Sequence, residues 1–398
     1  MKTGYGILCA LLLGWAGIGT AAGDTVELRS RTIPDWPASE SLQREAQAAL
    51  DRGYAWLRAG QHEEGYWSNP DFPAITGLAV WALAADPEQN REAIDRGVAY
   101  LLRCVRDDGG IYVEPQEARR GGGLSNYNTA ICMVALHQAN RPELVPVIQR
   151  ARAFVARSQH LESESEFFGG MGYDASTDRA YADLSNSYIA YEAMRLTESV
   201  EDLRTGQERV DLDWEAALQF IQRIQNLPEY NPQSWVSNDP RNRGGFAYHP
   251  DQTRGGTYTD EDGVVRFNSF GSMTYAGMLS LIYAEVDRDD PRVQSAADWA
   301  IRHWTLSENP GTGQEGLYYY YNVLTKGLAA YGQNQFIRED AEPLNWRVEV
   351  VEKLLATQRI EDTSGHGFWV NDTGRYWEND PVLVTGYSLI ALQMALGL

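Results

Sequence analysis

An aspartate and a set of tyrosines stand at the starts of the most apolar segments of this chain, where their side chains could act on an apolar molecule. Asp183 precedes Leu-Ser-Asn at the start of one such segment. A carboxyl group there could donate a proton, or it could cap the following helix by accepting a backbone N–H. The aromatic and amide-bearing candidates at such starts are Tyr127, Asn128, Asn186, Tyr188, Tyr275, Tyr319, Tyr320 and Tyr387.

These tyrosines allow two interpretations. Aromatic rings suit an apolar ligand, and their π-faces stabilise a carbocation if one forms. The alternative is structural: each ring fills space between helices, and each hydroxyl bonds to a neighbouring helix end. The residue types alone favour neither interpretation.

Other chemistries find little support in the sequence. The six histidines stand singly, near turns or on amphipathic segments, without the spacing of metal ligands. Hydrolase elbows, phosphate loops and dinucleotide-binding glycine motifs are absent. We therefore expect no metal and no cofactor. Cys104 and Cys132 are too few for a disulfide framework, and two buried thiols are favoured over a single bridge.

The charge and the N-terminus indicate where the protein acts. A formal net charge of −21 disfavours nucleic acid and anionic lipid as partners. Lys2, an apolar run and a small-residue stretch predict a signal peptide over residues 1–22, with an uncleaved anchor as the alternative. We expect export to the periplasm or the medium, with no membrane span after cleavage and with an envelope protein as a possible partner.

The elements that would position the candidate residues repeat along the chain. Small or apolar residues at positions 42, 46, 49, 50, 53, 56 and 57 follow the period of a helix packed on one face. A glycine-rich turn follows, and then AITGLAVWALAA, a second helix that is apolar almost all the way round. Such a helix must be covered on more than one side. The same unit returns five times, which predicts outer amphipathic and inner apolar helices.

Six such hairpins without polar caps at either end suggest that the array closes on itself. The prediction is an all-α fold: an α/α toroid of about six helical hairpins, with an inner apolar ring and an outer amphipathic ring. A linker over residues 23–40 would precede a single toroid domain over residues 41–398.

The first unit also carries a specific motif. Arg52, Trp56, Gln61, Gly65 and Trp67 form a basic residue, an aromatic, and then Gln, Gly and Trp at fixed offsets. A Gln amide can satisfy backbone groups of a neighbouring helix end, Gly permits a tight turn, and Trp covers the contact. We therefore expect the motif to fasten units together and to carry no chemistry.

This motif resembles the repeat of squalene and hopene cyclases. With its weaker copies and the GGF, GGM and HGFW turns, the resemblance covers nearly all of the chain after residue 22. The chain is similar to the prenyltransferase and squalene-cyclase repeat superfamily, as a divergent exported bacterial member. The resemblance implies an α/α toroid with any chemistry at the ends of the inner helices.

The catalytic residues that the resemblance implies are mostly missing. The acidic cluster of the cyclases would fall at residues 182–187, where Asp183 is the only acid. Protonating an alkene needs neighbouring groups that make a carboxyl unusually acidic. The zinc ligands of the protein prenyltransferases have no counterparts in the corresponding inner segments.

Three functions stay open. The favoured one is an exported toroid that binds an apolar isoprenoid-type ligand, or a partner, in its central cavity without standard cyclase catalysis. The alternative is a terpenoid cyclase-like isomerase or transferase with a non-standard acid, for which Asp183 is the residue to test. The third is a polysaccharide lyase or glycosidase, because α/α toroids also host those enzymes. Whether the protein is an enzyme stays open.

Overall fold

The computed structural model of the protein describes residues 39–114, 123–175, 180–338 and 341–398. The predicted signal peptide and nearly all of the predicted linker lie outside these ranges. The described residues are mainly helical, as the sequence predicts. Within them, no helix is both long enough and apolar enough to span a membrane.

Helices occur throughout the described ranges. They are α1 Glu40–Ala59, α2 Pro73–Leu83, α3 Pro87–Arg103, α4 Ser125–Gln138, α5 Val145–Arg157, α6 Leu184–Leu196, α7 Trp214–Gln222, α8 Gly271–Tyr283, α9 Pro291–Arg302, α10 Leu317–Tyr331, α11 Trp346–Thr357 and α12 Pro381–Leu396. Short 3₁₀ turns cover Pro142–Leu144, Glu198–Leu203 and Arg375–Trp377.

Strands are few and short among the described residues. Three antiparallel pairs connect or flank helices. They are β1 Thr257–Thr259 with β2 Val265–Phe267, β3 Gln335–Arg338 with β4 Ala341–Asn345, and β5 Arg359–Ile360 with β6 Gly367–Phe368.

Buried and partly exposed helices alternate. Every residue of α2 is buried, and α4, α6, α8, α10 and α12 are buried along most of their length. By contrast, α1 buries Ala46, Leu50, Gly53 and Leu57 on one face and exposes the other. The periodicity of each segment thus decides its environment, because only an amphipathic helix can keep one face in water.

The buried helices pack against one another in chain order. Contacts join α2 to α4, α4 to α6, α6 to α8, α8 to α10 and α10 to α12, and α12 also contacts α2. The partly exposed helices cover them, with α3 against α2, α5 against α4 and α9 against α8. Each apolar helix is therefore covered on several sides, as its composition requires.

A hydroxyl near the start of most buried helices holds the preceding turn. In each case the side-chain oxygen accepts the backbone N–H of a turn residue at 2.8 to 3.2 Å. The acceptor–donor pairs are Thr76–Trp67, Thr129–Ile111, Ser187–Met171, Thr274–Phe246 and Thr385–Trp369. These hydroxyls satisfy donors that would otherwise be buried without a partner.

The Gln-Gly-Trp stretch of the first unit lies between two neighbouring units. Gln61 donates from Nε2 to the backbone oxygens of Gly65 and Ala93, each at 2.9 Å. Trp67 is fully buried and donates from Nε1 to Leu57 at 2.7 Å. Gly65 has a φ of +93°, and a Cβ atom there would lie 2.3 Å from the Arg96 oxygen. Only glycine allows so close an approach to α3.

The basic and aromatic residues of the same motif bond to residues that follow α11. Arg52 donates from Nε to Gln358 Oε1 at 2.9 Å, and Trp56 donates from Nε1 to Glu361 Oε1 at 2.7 Å. Gln358 also donates from Nε2 to the Ala49 oxygen at 2.8 Å. Helix α1 is therefore bonded both to the unit that follows it and to the last unit.

The two described cysteines are buried free thiols. Cys104 lies at the end of α3 and Cys132 in the middle of α4. Burial raises the pKa of both thiols, because a thiolate would lose its hydration. Both side chains therefore act as small apolar groups in the core.

Replacing Gln61 tests whether the turn fastens neighbouring units. We expect Gln61→Ala to lower the free energy of unfolding by about 1–3 kcal/mol, because two buried backbone oxygens lose their donor. The control is Gln47→Ala on the exposed face of α1, for which we expect a change within about 0.5 kcal/mol. Urea unfolding of both variants measures the difference, and equal losses would contradict a fastening role for Gln61.

Candidate functional site

A cavity of about 350 Å³ lies where the buried helices begin. All six contribute side chains from their first turns or just before them. One lining residue from each helix, in chain order, is Ile75, Tyr127, Ser185, Met273, Tyr319 and Tyr387. The cavity therefore lies at the common N-terminal end of the buried helices, where the sequence placed any chemistry.

Apolar side chains form much of the wall. Leu78 on α2 and Ile189 on α6 lie one turn deeper than the first lining residues of their helices. Further apolar lining residues are Phe72, Ala74, Ile75, Phe270, Met273 and Leu383. A wall of this kind favours a ligand that is itself largely hydrocarbon, since both surfaces leave water on binding.

Tyrosines add a set of neutral hydroxyls to this wall. The hydroxyls of Tyr127 and Tyr387 lie 3.4 Å apart. Those of Tyr173 and Tyr248 lie 3.3 Å apart, and Tyr319 shares a 3.0 Å bond with Ser185. Burial raises the pKa of these phenols, to about 12 for Tyr173. They therefore stay protonated at neutral pH, so the hydroxyls form hydrogen bonds with one another and place no negative charge in the cavity.

Glu378 is the most buried acid in the lining, with 1% of its surface exposed. It follows the 3₁₀ turn Arg375–Trp377 and faces the first turn of α10. Its carboxylate accepts the backbone N–H groups of Tyr319 at 2.7 Å and Tyr318 at 3.3 Å, and the Asn371 Nδ2 at 2.7 Å. Burial raises its pKa above the usual range, although these donors oppose the rise.

The mouth of the cavity carries aromatic and charged groups. Tyr376 and Trp377 are about half exposed, and both have a positive φ, at 58° and 64°. The rings of Trp377 and Phe72 meet edge to face with centroids 4.4 Å apart. Across the lining, the guanidinium carbon of Arg254 lies 4.6 Å from the centre of the Tyr248 ring. Arg254 is itself exposed, so it faces both the cavity and solvent.

Asp183 lies outside the lining and caps α6. Its Oδ1 accepts the backbone N–H of Asn186 at 2.9 Å, and its Oδ2 accepts the side-chain Nδ2 of Asn186 at 2.7 Å. Burial raises its pKa, and hydrogen bonds from Asn186, Tyr248 and Tyr181 oppose the rise. The geometry is that of the capping alternative, with Tyr248 between this carboxyl and the cavity.

The structure divides the predicted ligand-binding residues into two groups. Tyr127, Asn128, Tyr319 and Tyr387 line the cavity. The Asn128 amide is engaged with backbone, since Oδ1 accepts from Ala74 and Nδ2 donates to Gly123. The predicted residues outside the lining are Asn186, Tyr188, Tyr275 and Tyr320.

The tyrosines outside the lining point elsewhere because successive residues of a helix differ by about 100° in direction. The Tyr320 hydroxyl donates to the Thr305 oxygen at 2.9 Å, away from the cavity that its neighbour Tyr319 lines. The lining residues that sequence reasoning missed include Tyr173, Tyr248, Arg254 and Glu378. All four precede a buried helix in a connecting segment, where no periodicity reveals the direction of a side chain. No three His, Cys, Asp or Glu side chains cluster as metal ligands within the described ranges.

Solved structures identify the fold but not the activity. No family model and no curated protein matches the chain. The type II terpene cyclase MstE from Scytonema, in complex with the product merosterolic acid A, is 14% identical with a TM-score of 0.53. The match covers 91% of this chain and 100% of MstE. The chain has a terpene-cyclase-like helical fold.

Two further MstE structures agree. The complex with the substrate geranylgeranyl dihydroxybenzoate is 13% identical with a TM-score of 0.51, over 90% of this chain and 99% of MstE. The structure without ligand is 14% identical with a TM-score of 0.50, over 89% of this chain and 98% of MstE. Identities this low establish the fold alone.

The raised pKa of Glu378 predicts a specific dependence of stability on pH. A carboxyl whose folded pKa is raised contributes stability that is present below its unfolded pKa and is lost as pH rises through the folded value. We expect the free energy of unfolding of Glu378→Gln, relative to that of the wild type, to increase as pH rises from about 4 to about 7. Urea unfolding at a series of pH values measures this difference.

Glu361→Gln is a control for which we expect the opposite change of relative stability with pH. The pKa of Glu361 is lowered by hydrogen bonds from the Ser364 hydroxyl and the Trp56 indole. Its stabilising contribution is therefore present above the unfolded pKa. The free energy of unfolding of this variant, relative to that of the wild type, thus decreases as pH rises. A flat or reversed slope for Glu378→Gln would contradict a raised pKa at that site.

Proposed function

We propose that this protein binds an apolar isoprenoid-type ligand in the cavity at the start of its buried helices. The observation that carries the proposal is the lining itself, which combines hydrocarbon side chains with neutral, mutually bonded tyrosines. Ligand sites of about 300–1,000 Å³ are common, and this cavity lies at the small end of that range. It would therefore take one short isoprenoid chain.

We further propose that the buried helices form the inner ring of an α/α toroid of six hairpins. The contact of α12 with α2 supports closure of this ring, as do the hydrogen bond that Gln358 donates to the Ala49 oxygen and the one that it accepts from Arg52. In such a ring every buried helix starts at the same face. One cavity is then shared by all six hairpins, and the motif residues Arg52, Trp56, Gln61, Gly65 and Trp67 belong to the scaffold.

The polar end of the ligand would lie at the mouth. Arg254 is the only Lys or Arg among the described lining residues, and it is exposed toward solvent. The hydrocarbon side chains of Leu78 and Ile189 lie one turn deeper in α2 and α6 than the first lining residues of these helices. A ligand with one polar and one hydrocarbon end would therefore bind with its hydrocarbon end inward.

The second candidate is a cyclase-like activity with a non-standard acid. Glu378 favours it, because this buried carboxyl lines the cavity and has a raised pKa. Against it, both oxygens of Glu378 already accept hydrogen bonds, and Asp183 serves as a cap. We therefore rank binding without turnover first. The largely apolar lining does not favour the lyase or glycosidase alternative.

We propose as well that the protein acts after export, on the basis of residues 1–22. An envelope protein partner also stays a prediction from the sequence.

Filling the cavity tests the binding proposal. We expect Ile75→Trp to weaken the binding of farnesol at least about tenfold, because the indole occupies space that the chain would use. The control is Ile337→Trp, the same substitution at a side chain that is 92% exposed. Calorimetric titration measures both affinities. Equal affinity of the two variants, or no binding by the wild type, would contradict the proposal.

Turnover separates the two candidates. We expect no cyclised product when the wild-type protein is incubated with squalene or geranylgeranyl dihydroxybenzoate, as analysed by mass spectrometry of the extract. A product that disappears in Glu378→Gln and persists in Asp183→Asn would instead establish the second candidate with Glu378 as its acid. A product that disappears only in Asp183→Asn would assign that role to Asp183.

A further inference from the structure

A buried ion pair lies in the interior between α6 and α10. Lys326 Nζ is 2.9 Å from Glu192 Oε2, and the two side chains are only 7% and 6% exposed. In the series of contacting buried helices, α8 lies between α6 and α10. The pair therefore joins two buried helices that are not adjacent in this series.

Further buried side chains complete the cluster. The Tyr283 hydroxyl on α8 donates to Glu192 Oε1 at 3.3 Å. Lys326 Nζ lies 3.5 Å from the Tyr188 hydroxyl and 4.2 Å from the ring centre of Trp81 on α2. Four buried helices thus meet at this cluster.

The cluster lies deeper than the cavity along the same helix faces. Ile189 lines the cavity and Glu192 follows it by three residues, and the same spacing relates Leu78 to Trp81. Three residues of helix advance about 4.5 Å on nearly the same face. Lys326 lies seven residues beyond the lining residue Tyr319, about 10 Å deeper.

The direction of the lysine side chain brings its ammonium group nearer to the cavity than its backbone position suggests. Side chains on a helix lean toward its N-terminus, so the long Lys326 chain points back toward the cavity. None of Glu192, Lys326, Trp81 or Tyr188 belongs to the lining, so the cavity ends before the cluster. The ion pair therefore lies between the inner end of the cavity and the opposite ends of the helices.

An ion pair makes a firmer barrier to a hydrocarbon chain than apolar side chains would. An apolar side chain can change rotamer and pack against an incoming methyl group. Separating Lys326 from Glu192 would instead break a buried ion pair, which is strongly unfavourable. The ion pair itself stabilises the fold little beyond what an apolar pair of similar size would contribute.

We propose that the Glu192–Lys326 pair is the floor of the cavity and limits the length of the isoprenoid chain that it accepts. This inference rests on the proposed binding function. The ligand class is an isoprenoid alcohol or acid whose chain ends at the inner end of the cavity, with the pair lying next beyond it. Removing the volume of the pair should lengthen the accepted chain by about one isoprene unit.

The experiment compares affinities for geraniol, farnesol and geranylgeraniol by calorimetric titration. The variants are E192A/K326A, which removes the volume of the pair, and E192L/K326M, which removes the charges and retains the volume. We expect the affinity ratio of geranylgeraniol to farnesol to rise about tenfold or more in E192A/K326A, since extra hydrocarbon becomes buried. The ratio in E192L/K326M should rise less than in E192A/K326A, because the apolar side chains yield more readily than the ion pair but still occupy its volume.

The outcomes separate this inference from the binding proposal. If the wild type binds none of the three alcohols, the proposed function fails. If it binds them and the ratio is unchanged in E192A/K326A, only the floor is refuted. An equal shift in both double variants would also refute the floor, because volume would then not be its cause. If E192A/K326A does not unfold cooperatively, E192L/K326A enlarges the space with less volume lost, and the same ratio decides.

Discussion

The structure depends on helices that are apolar almost all the way round. Such a helix has no face that it can leave in water, so it needs neighbours on every side. In this chain each buried helix packs against two other buried helices, and the amphipathic helices cover the rest. Turn hydroxyls such as Thr76 and Thr385, and amides such as Gln61 and Gln358, then satisfy the backbone between these helices.

The same arrangement explains why the acidic residues are mostly structural. The first backbone N–H groups of a helix have no partner within that helix. Where several helices start in a buried region, nearby side chains must accept hydrogen bonds from these groups. Asp183 supplies them for α6, Asp380 for α12 and Glu378 for α10. An acid at the start of an apolar helix is therefore committed to the backbone first. Glu378 differs from Asp183 because it also lines the cavity.

The interior changes character along its axis. At the N-terminal ends of the buried helices, the cavity is lined by apolar side chains and by tyrosines whose raised pKa values keep them neutral. Deeper, a charged pair and its aromatic neighbours fill the space between α6, α10 and α2. A chain-like apolar ligand would meet a compatible wall and then an incompatible floor. The likeness to MstE establishes the fold in which this interior is built, at an identity too low to carry the activity across.

The sequence by itself determined the helical character and the alternation of amphipathic and apolar helices, because these follow from periodicity. It also identified Tyr127, Tyr319 and Tyr387 as candidates at helix starts. Only the tertiary structure decided that Tyr320 points away from the cavity and that Tyr173, Tyr248, Arg254 and Glu378 point into it. The physical reason is that a side chain in a connecting segment takes its direction from the helices that the segment joins. The pairing of Glu192 with Lys326 likewise depends on two helices that lie 134 residues apart in the sequence and face each other only when the fold is complete.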